Sequence, residues 1–282
     1  MDKKLTEKIK NELVKSGFPL EIYCRKELLN SGFGLGSSQY YFNDENKLRE
    51  IDGEAGLQEE IKYKDEKIVL FSRIYIECKK SNKYHWVFFH EQPPFSDLNF
   101  NTNIMEIESK MNLRLSNEYK NIHYYNFNNV AQNYVIPLCK PNSNESRQIY
   151  DSLFSLINYN EHHLKEKIHY NVSLPYIKLN FLCVVYDGVI IMAEPTENTF
   201  KLKEANHVIV NFHQRKEFKS YHYAVDIVQR SYFKEYIKII KQDNNTIKEY
   251  VQKVLIDREA RKAAVAKPKK ALEDVTKKQE AH

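Results

Sequence analysis

The chain has 282 residues, of which 42% are hydrophobic and 13% aromatic, and this composition excludes a largely disordered or fibrous protein. A formal net charge of +5 is compatible with a polyanionic partner but too small to indicate one. The four cysteines are far apart and form no CxxC or Cys/His spacing, so the sequence gives no sign of a zinc motif or a disulfide framework.

The first predicted elements are two helices. An apolar residue at every fourth position predicts a helix over residues 5–15, which Gly17 is placed to end. Pro19 occupies the favoured first position of a second helix that extends to about Asn30. Glu21 lies in the first turn of this helix and borders its apolar face. As a first-turn acid it would oppose the helix dipole, a stabilisation of about 0.3–1 kcal/mol that requires no catalytic role.

Three strands are predicted next. Residues 39–42 and 48–52 form the first two, and an Asp-Glu turn precedes a third strand that ends at Lys79. Asp52 stands at the end of the second strand. Gly53 follows it and leaves room for a ligand or another backbone to approach.

Glu77 and Lys79 lie two residues apart on the third strand and therefore share one face. Two carboxylates and an ammonium group suit the hydrolysis of a phosphate diester. Asp52 and Glu77 supply hard oxygen ligands for Mg²⁺, and Lys79 can orient or deprotonate the attacking water. An ordinary same-face ion pair on a solvated strand explains the same spacing, and the spacing does not decide between the two interpretations.

The arrangement of an aspartate, an intervening hairpin and Glu-x-Lys on the next strand resembles the PD-(D/E)XK motif of the restriction-endonuclease-like superfamily. The matching segments are Arg49-Glu50-Ile51-Asp52 and Ile76-Glu77-Cys78-Lys79. Ile51 stands where the motif has proline, a departure that the family tolerates. The upstream segment Gly17-Phe18-Pro19-Leu20-Glu21 is similar to the start of the helix from which many members direct a glutamate toward the metal site. The resemblance covers about residues 5–90.

The resemblance implies an α/β fold with a restriction-endonuclease-like core, in which a mixed central β-sheet is flanked by helices. In the family, a helix and three strands are completed by another helix and strand. It further implies a metal-dependent endonuclease that cuts DNA with Mg²⁺ or Mn²⁺, with Asp52, Glu77 and Glu21 as metal ligands and Lys79 as a further catalytic residue. RNA is not excluded as a substrate. The alternative is a non-cleaving nucleic-acid-binding or assembly module on the same scaffold.

The remaining elements are predicted from apolar runs and turn residues. They are an apolar segment over residues 83–89, a helix over 103–114, a strand over 130–139, a helix over 146–167, a hairpin over 177–192 joined at Asp187-Gly188, strands over 207–212 and 223–228, and helices over 231–240 and 246–256. Trp86 in the first of these segments is either a core residue or a base-stacking platform, and packing is the favoured interpretation.

We divide the chain into a nuclease-like core over residues 1–140, an α+β extension over 141–257 and a charged tail over 258–282. The extension either continues the core sheet or forms a second layer, and the tail is expected to be disordered or a frayed helix. The charged N-terminal stretch and the lack of a long apolar run predict a cytoplasmic protein with no membrane partner. A homodimer and a partner protein in restriction, anti-phage defence or repair are both compatible with the sequence.

Overall fold

A computed structural model describes residues 2–36, 39–42, 47–81, 83–90, 105–107, 121–140, 143–165, 174–216 and 219–279. The fold in these ranges is mixed α/β, with five helices and a large mixed central sheet. The helices are α1 (Lys3–Lys15), α2 (Phe18–Asn30), α3 (His123–Asn126), α4 (Asn144–Lys165) and α5 (Phe233–Gln279). The strands are β1 (Gly34–Leu35), β2 (Gln39–Phe42), β3 (Leu48–Ile51), β4 (Gly53–Tyr63), β5 (Glu66–Lys80), β6 (Trp86–His90), β7 (Met105–Ile107), β8 (Val130–Val135), β9 (Tyr176–Asp187), β10 (Ile190–Pro195), β11 (Phe200–Ala205), β12 (His207–Lys216) and β13 (Lys219–Gln229).

The central sheet has 11 strands, in the order β1-β4-β5-β9-β13-β12-β8-β6-β10-β11, with β7 added on β9. Strands β5 and β6 follow each other in the chain, yet β9, β13, β12 and β8 lie between them in the sheet. A connection as short as residues 81–85 can join them only if the sheet curls back on itself. Strands from both predicted segments, 1–140 and 141–257, alternate within this one sheet.

Each face of the sheet carries its own hydrophobic core. One core contains the apolar faces of α2 and α5, and β5 contributes Ile74, Ile76 and Cys78 to it. The other core surrounds α4, whose Leu156 is completely buried among side chains of β5, β6, β9, β10, β12 and β13. Tyr75 of β5 belongs to this second core. The predicted alternation of residues along β5 is therefore confirmed.

The strands before β5 differ from the prediction in their number and in which of them pairs with β5. Strands β2 and β3 pair with each other, but they form a separate two-stranded sheet. The antiparallel partner of β5 is β4. This strand was not predicted, because Glu59, Glu60 and Lys62 give the segment a polar composition that is not typical of a strand. Its buried positions, Ala55 and Ile61, nevertheless face the core of α2 and α5.

The predicted hairpin over residues 177–192 is wrong. Both strands form, but β9 pairs with β5 and β13 whereas β10 pairs with β6 and β11. Gly188 does not have the positive φ of a primed turn. The structure requires glycine here for another reason, since a Cβ atom on Gly188 would lie 2.5 Å from the ring of Tyr186. That ring stacks on Trp86 with 4.0 Å between centroids.

Two helix predictions also need correction. The helices predicted over residues 231–240 and 246–256 are joined in the single helix α5, which begins at Phe233 after a 3₁₀ turn and continues to Gln279. The helix predicted over residues 103–114 is wrong at Met105–Ile107, which form strand β7, and its other residues lie outside the described ranges. In the described part of the chain, no helix is both long and apolar enough to cross a membrane.

Candidate active site

Strand β5 directs Glu77 and Lys79 toward α4. The side chain of Glu77 is buried, and its Oε1 accepts a hydrogen bond of 2.8 Å from Ser155 Oγ of that helix. Lys79 Nζ lies 2.5 Å from Glu77 Oε2. The structure therefore places the two residues of the Glu-x-Lys segment in direct contact, at the edge of the core that surrounds α4.

Asp52 lies at the junction of β3 and β4, one residue before the pairing of β4 with β5 begins at Gly53 opposite Ile76. Its Oδ2 accepts a hydrogen bond of 2.6 Å from the backbone N–H of Cys78. The same oxygen lies 4.0 Å from Lys79 Nζ. The backbone of β5 thus fixes the carboxylate beside the lysine, and the structure brings Asp52, Glu77 and Lys79 together.

Glu21 approaches this group from the first turn of α2. Burial raises the pKa of its carboxyl, and the negative charges of Asp52 and Glu50 raise it further, whereas Lys79 opposes them. Its Oε1 would lie 3.2 Å from a Cβ atom on Gly17, so the carboxylate lies over the glycine that precedes the helix. Glu21 is therefore within electrostatic range of the other acids, although no hydrogen bond links it to them within the described residues.

The electrostatics of the group are those of acids crowded around one cation. Burial raises the pKa of Glu77 to about 7; Lys79 opposes this shift, and Asp52 adds to it. Burial disfavours the charged form of Lys79, but Glu77 and Asp52 outweigh that effect and raise its pKa. Lys79 therefore keeps its proton in this arrangement.

Glu77 and Lys79 open into a cavity of about 740 Å³ between the β2–β3 hairpin and α4. Arg49 and Arg147 line this cavity together with the acids Glu50 and Asp151, and Arg147 pairs with Asp151. Tyr150 and Phe154 line it as well and stack on each other one helical turn apart, with 5.6 Å between ring centroids. None of the cavity residues of α4 was predicted to belong to the site, and the i, i+4 spacing of Tyr150 and Phe154 is a signal that could have indicated them.

A second polar cluster lies on the opposite face of the sheet. Asp226 of β13 accepts hydrogen bonds from His207 of β12 and from Tyr124 and Tyr236, and it also contacts His123 of α3. All five side chains are buried, and the sequence analysis assigned no role to any of them.

The histidines of this cluster have opposite pKa shifts. Burial disfavours the charged form of His123, but Asp226 and Asp243 raise its pKa to about 10. Burial lowers the pKa of His207, which the attraction of Asp226 only partly offsets. Burial would raise the pKa of Asp226 itself, yet the two histidines hold it below its usual value.

The two groups of side chains suit different ions. Asp52, Glu77 and Glu21 offer carboxylate oxygens, which Mg²⁺ and Mn²⁺ prefer. The cluster around Asp226 offers two imidazole nitrogens and one carboxylate oxygen within 4.8 Å of one another. No protein-family model, curated protein or solved structure matches this chain.

Proposed function

We propose that the chain is a nuclease that hydrolyses DNA phosphodiester bonds with Mg²⁺ or Mn²⁺ bound at Asp52 and Glu77. The observation that carries the proposal is the position of Asp52, which follows β3, beside Glu77 and Lys79 of β5. Both carboxylates lie within 4.0 Å of the Lys79 ammonium, and Glu77 and Lys79 line an open cavity. Perturbed titratable groups gathered in a cleft are typical of functional sites.

The connectivity around these residues supports the proposal. Helix α2 is followed by β1, β4 and β5, which pair antiparallel in that order, and α4 leads to β9, which pairs parallel to β5. The PD-(D/E)XK resemblance implies a helix and three strands that another helix and strand complete. The additions to that pattern are α1, the β2–β3 hairpin, the segment from β6 to β8 with α3 between β5 and α4, strands β10 to β13, and α5.

The residues present fit a hard divalent cation. The hydrogen bond and the ion pair of Asp52 both use Oδ2, which leaves its Oδ1 directed away from those contacts. Glu77 would supply Oε2 when the Lys79 ammonium moves aside, while Ser155 holds its other oxygen. A bound Mg²⁺ would stabilise negative charge on the phosphate and on the attacking water. Lys79, which holds its proton, is suited to orienting that water and to stabilising charge rather than to abstracting a proton.

The cavity beside the acids suits a nucleic acid strand. Arg49 and Arg147 can contact phosphates, and Arg147 is largely exposed. Tyr150 is 41% exposed, so part of its surface is accessible to a nucleotide base. Arginine side chains beside exposed aromatic surface are the groups that contact the phosphates and bases of a polynucleotide.

One observation favours the non-cleaving alternative. The Glu77–Lys79 contact is direct and Glu77 also bonds to Ser155, which is the geometry expected of a structural ion pair. The two functions are separated by incubating the protein with plasmid, linear and single-stranded DNA and with RNA, with and without Mg²⁺. Metal-dependent cleavage that Glu77→Ala abolishes supports the nuclease, whereas binding of nucleic acid without any cleavage supports the alternative.

Metal binding is expected to depend on Asp52 and Glu77 together, because neither carboxylate can replace the oxygens of the other. Calorimetric titration with Mn²⁺ should show that Asp52→Ala and Glu77→Ala each weaken binding by at least about tenfold, the loss that even an outer-shell partner can cause. Glu60→Ala is the matched control, since Glu60 is an exposed acid on β4 that pairs with Lys62. If both site variants bind as tightly as the control, the metal site lies elsewhere.

Glu21 is expected to affect activity more than stability. If its carboxylate contributes to the metal site, Glu21→Gln should slow cleavage about tenfold or more while the melting temperature stays nearly unchanged, because the substitution preserves shape and removes only charge. The measurement pairs cleavage rates with thermal unfolding. A stability loss with unchanged cleavage would identify Glu21 as a helix-dipole residue only.

A further inference from the structure

Three side chains on the side of the sheet opposite Glu77 direct ligand atoms toward one point. Asp226 Oδ1 lies 2.7 Å from His207 Nε2 and 3.2 Å from His123 Nε2. Ligand atoms held about 2.0–2.1 Å from a tetrahedral Zn²⁺ are about 3.3 Å apart. All three atoms lie within 4.8 Å of one another, so rotations of these side chains would bring them to bonding distance from one ion.

The groups behind His123 and Asp226 are arranged as they are around protein-bound metals, whereas His207 Nδ1 has no hydrogen-bond partner among the described residues. Asp243 Oδ2 lies 2.5 Å from His123 Nδ1, which fixes that ring with Nε2 directed at Asp226. Tyr124 and Tyr236 donate hydrogen bonds of 2.6 and 2.9 Å to Asp226 Oδ2, which leaves Oδ1 as the inward-directed oxygen. A carboxylate that holds the far nitrogen of a ligating histidine is a usual outer-shell partner.

The two buried carboxylates of this cluster also require a positive charge beside them. Asp226 and Asp243 are both almost completely buried, and among the described residues their ion pairs are made with histidine and with no lysine or arginine. Buried carboxylates are stable only when paired with positive charge or bound to a metal. The charge comes either from a proton on an imidazole or from a metal ion.

We propose that His123, His207 and Asp226 form a binding site for one transition-metal ion of the Zn²⁺ type. Imidazole nitrogen ligands select such ions over Mg²⁺, so this site is chemically distinct from the acidic group at Asp52 and Glu77. Burial keeps substrate away, and the role of the ion is structural. It joins α3, β12 and β13 to each other and, through Asp243 and Tyr236, to α5.

The test uses the full-length Glu77→Ala protein, in which the proposed Mg²⁺ site is disabled. After treatment with a chelator, it is titrated with Zn²⁺ by calorimetry and with Co²⁺ by visible absorption. We expect binding of one ion per chain, tetrahedral Co²⁺ bands with a water molecule as the fourth ligand, and a melting temperature raised by several degrees. Proton NMR of the Co²⁺ form should show shifted imidazole N–H resonances from two histidines, one of them slow to exchange because Asp243 covers His123 Nδ1.

Two substitutions and one control locate the site. His207→Gln and Asp226→Asn should each lose Co²⁺ binding and the metal-dependent rise in melting temperature. His213→Gln should keep both, because His213 is an exposed imidazole on the same strand as His207. The proposal is overturned if folded Glu77→Ala protein binds no Zn²⁺ or Co²⁺, since a protonated imidazole then supplies the charge. It is equally overturned if the NMR resonances belong to His213 and disappear in His213→Gln. Neither outcome bears on cleavage at Asp52 and Glu77.

Discussion

Lys79→Ala is expected to slow DNA cleavage by about 10²–10⁴-fold, the range over which a positioned proton-transfer or charge-stabilising group contributes to rate. Lys79 Nζ lies between Glu77 and Asp52, where a scissile phosphate would approach the acids. Its charge matters when negative charge develops in the transition state, so the affinity for uncut DNA should change little. Single-turnover cleavage and equilibrium binding, measured on the same substrate, test the two expectations separately.

Lys80→Ala is the matched control. Lys80 is the next residue on β5, points to the other side of the sheet and donates a hydrogen bond of 3.1 Å to the carbonyl oxygen of Val14 in α1. Its removal should leave cleavage near normal, and neither lysine should change the salt slope of binding by more than about one unit. The assignment fails if a folded Lys79→Ala protein cuts as fast as the parent. Thermal unfolding must accompany the assay, because this variant leaves the buried Glu77 without its cation.

The proximity of Asp52, Glu77 and Lys79 was predictable because it depends on local rules. Side chains alternate between the two faces of a strand, so Glu77 and Lys79 share one face of β5 regardless of which strands pair with it. The antiparallel return of β4 then places Asp52 opposite the end of β5. Strand β4 was not predicted, yet the outcome at the site is the same because Asp52 directly precedes that strand.

The order of the strands was not predictable in this way. A short connection with Gly188 after an apolar strand is typical of a hairpin. Here the glycine instead leaves room for the ring of Tyr186, and the next strand, β10, pairs with β6 in another part of the curled sheet. Which strands become neighbours is decided by contacts distant in sequence. The parallel pairing of β5 with β9 joins residues about a hundred positions apart.

Helix α5 continues through residues that favour a turn, because their side chains bond to buried partners elsewhere in the chain. Asp243, Asn244 and the following asparagine favour a turn in a sequence reading, because their side chains compete for backbone hydrogen bonds. In the structure Asp243 bonds to His123, and Asn244 accepts a hydrogen bond of 2.6 Å from Ser72 Oγ of β5. With these side chains engaged in the core, the helix continues through them. Neither partner is near in sequence, so the pattern alone could not indicate them.

Trp86→Ala is expected to lower the free energy of unfolding by about 3–5 kcal/mol, the usual cost of truncating a buried tryptophan. Trp86 is completely buried, which supports the packing interpretation of this residue, and its ring stacks on Tyr186 with an interplanar angle of 13°. It lies on β6, which pairs with β10 through Ile190. The cavity left by the substitution would therefore open between β6 and β9, which contact each other there through Trp86 and Tyr186. Urea unfolding followed by circular dichroism measures the loss, since the variant has no tryptophan fluorescence.

Trp86→Phe is the informative partner of that substitution. In the described part of the chain the Nε1–H of Trp86 has no hydrogen-bond partner, so phenylalanine keeps an aromatic face against Tyr186 and removes a buried donor that nothing satisfies. We expect the free energy of unfolding to fall by less than about 1.5 kcal/mol. The smaller ring packs less well, but the substitution also removes the buried N–H that has no partner. If Trp86 were a platform for nucleotide bases, Trp86→Phe and Trp86→Ala would instead weaken single-stranded DNA binding and leave the free energy of unfolding unchanged. That result would contradict the burial of this ring between β6 and β9 in the core that surrounds α4.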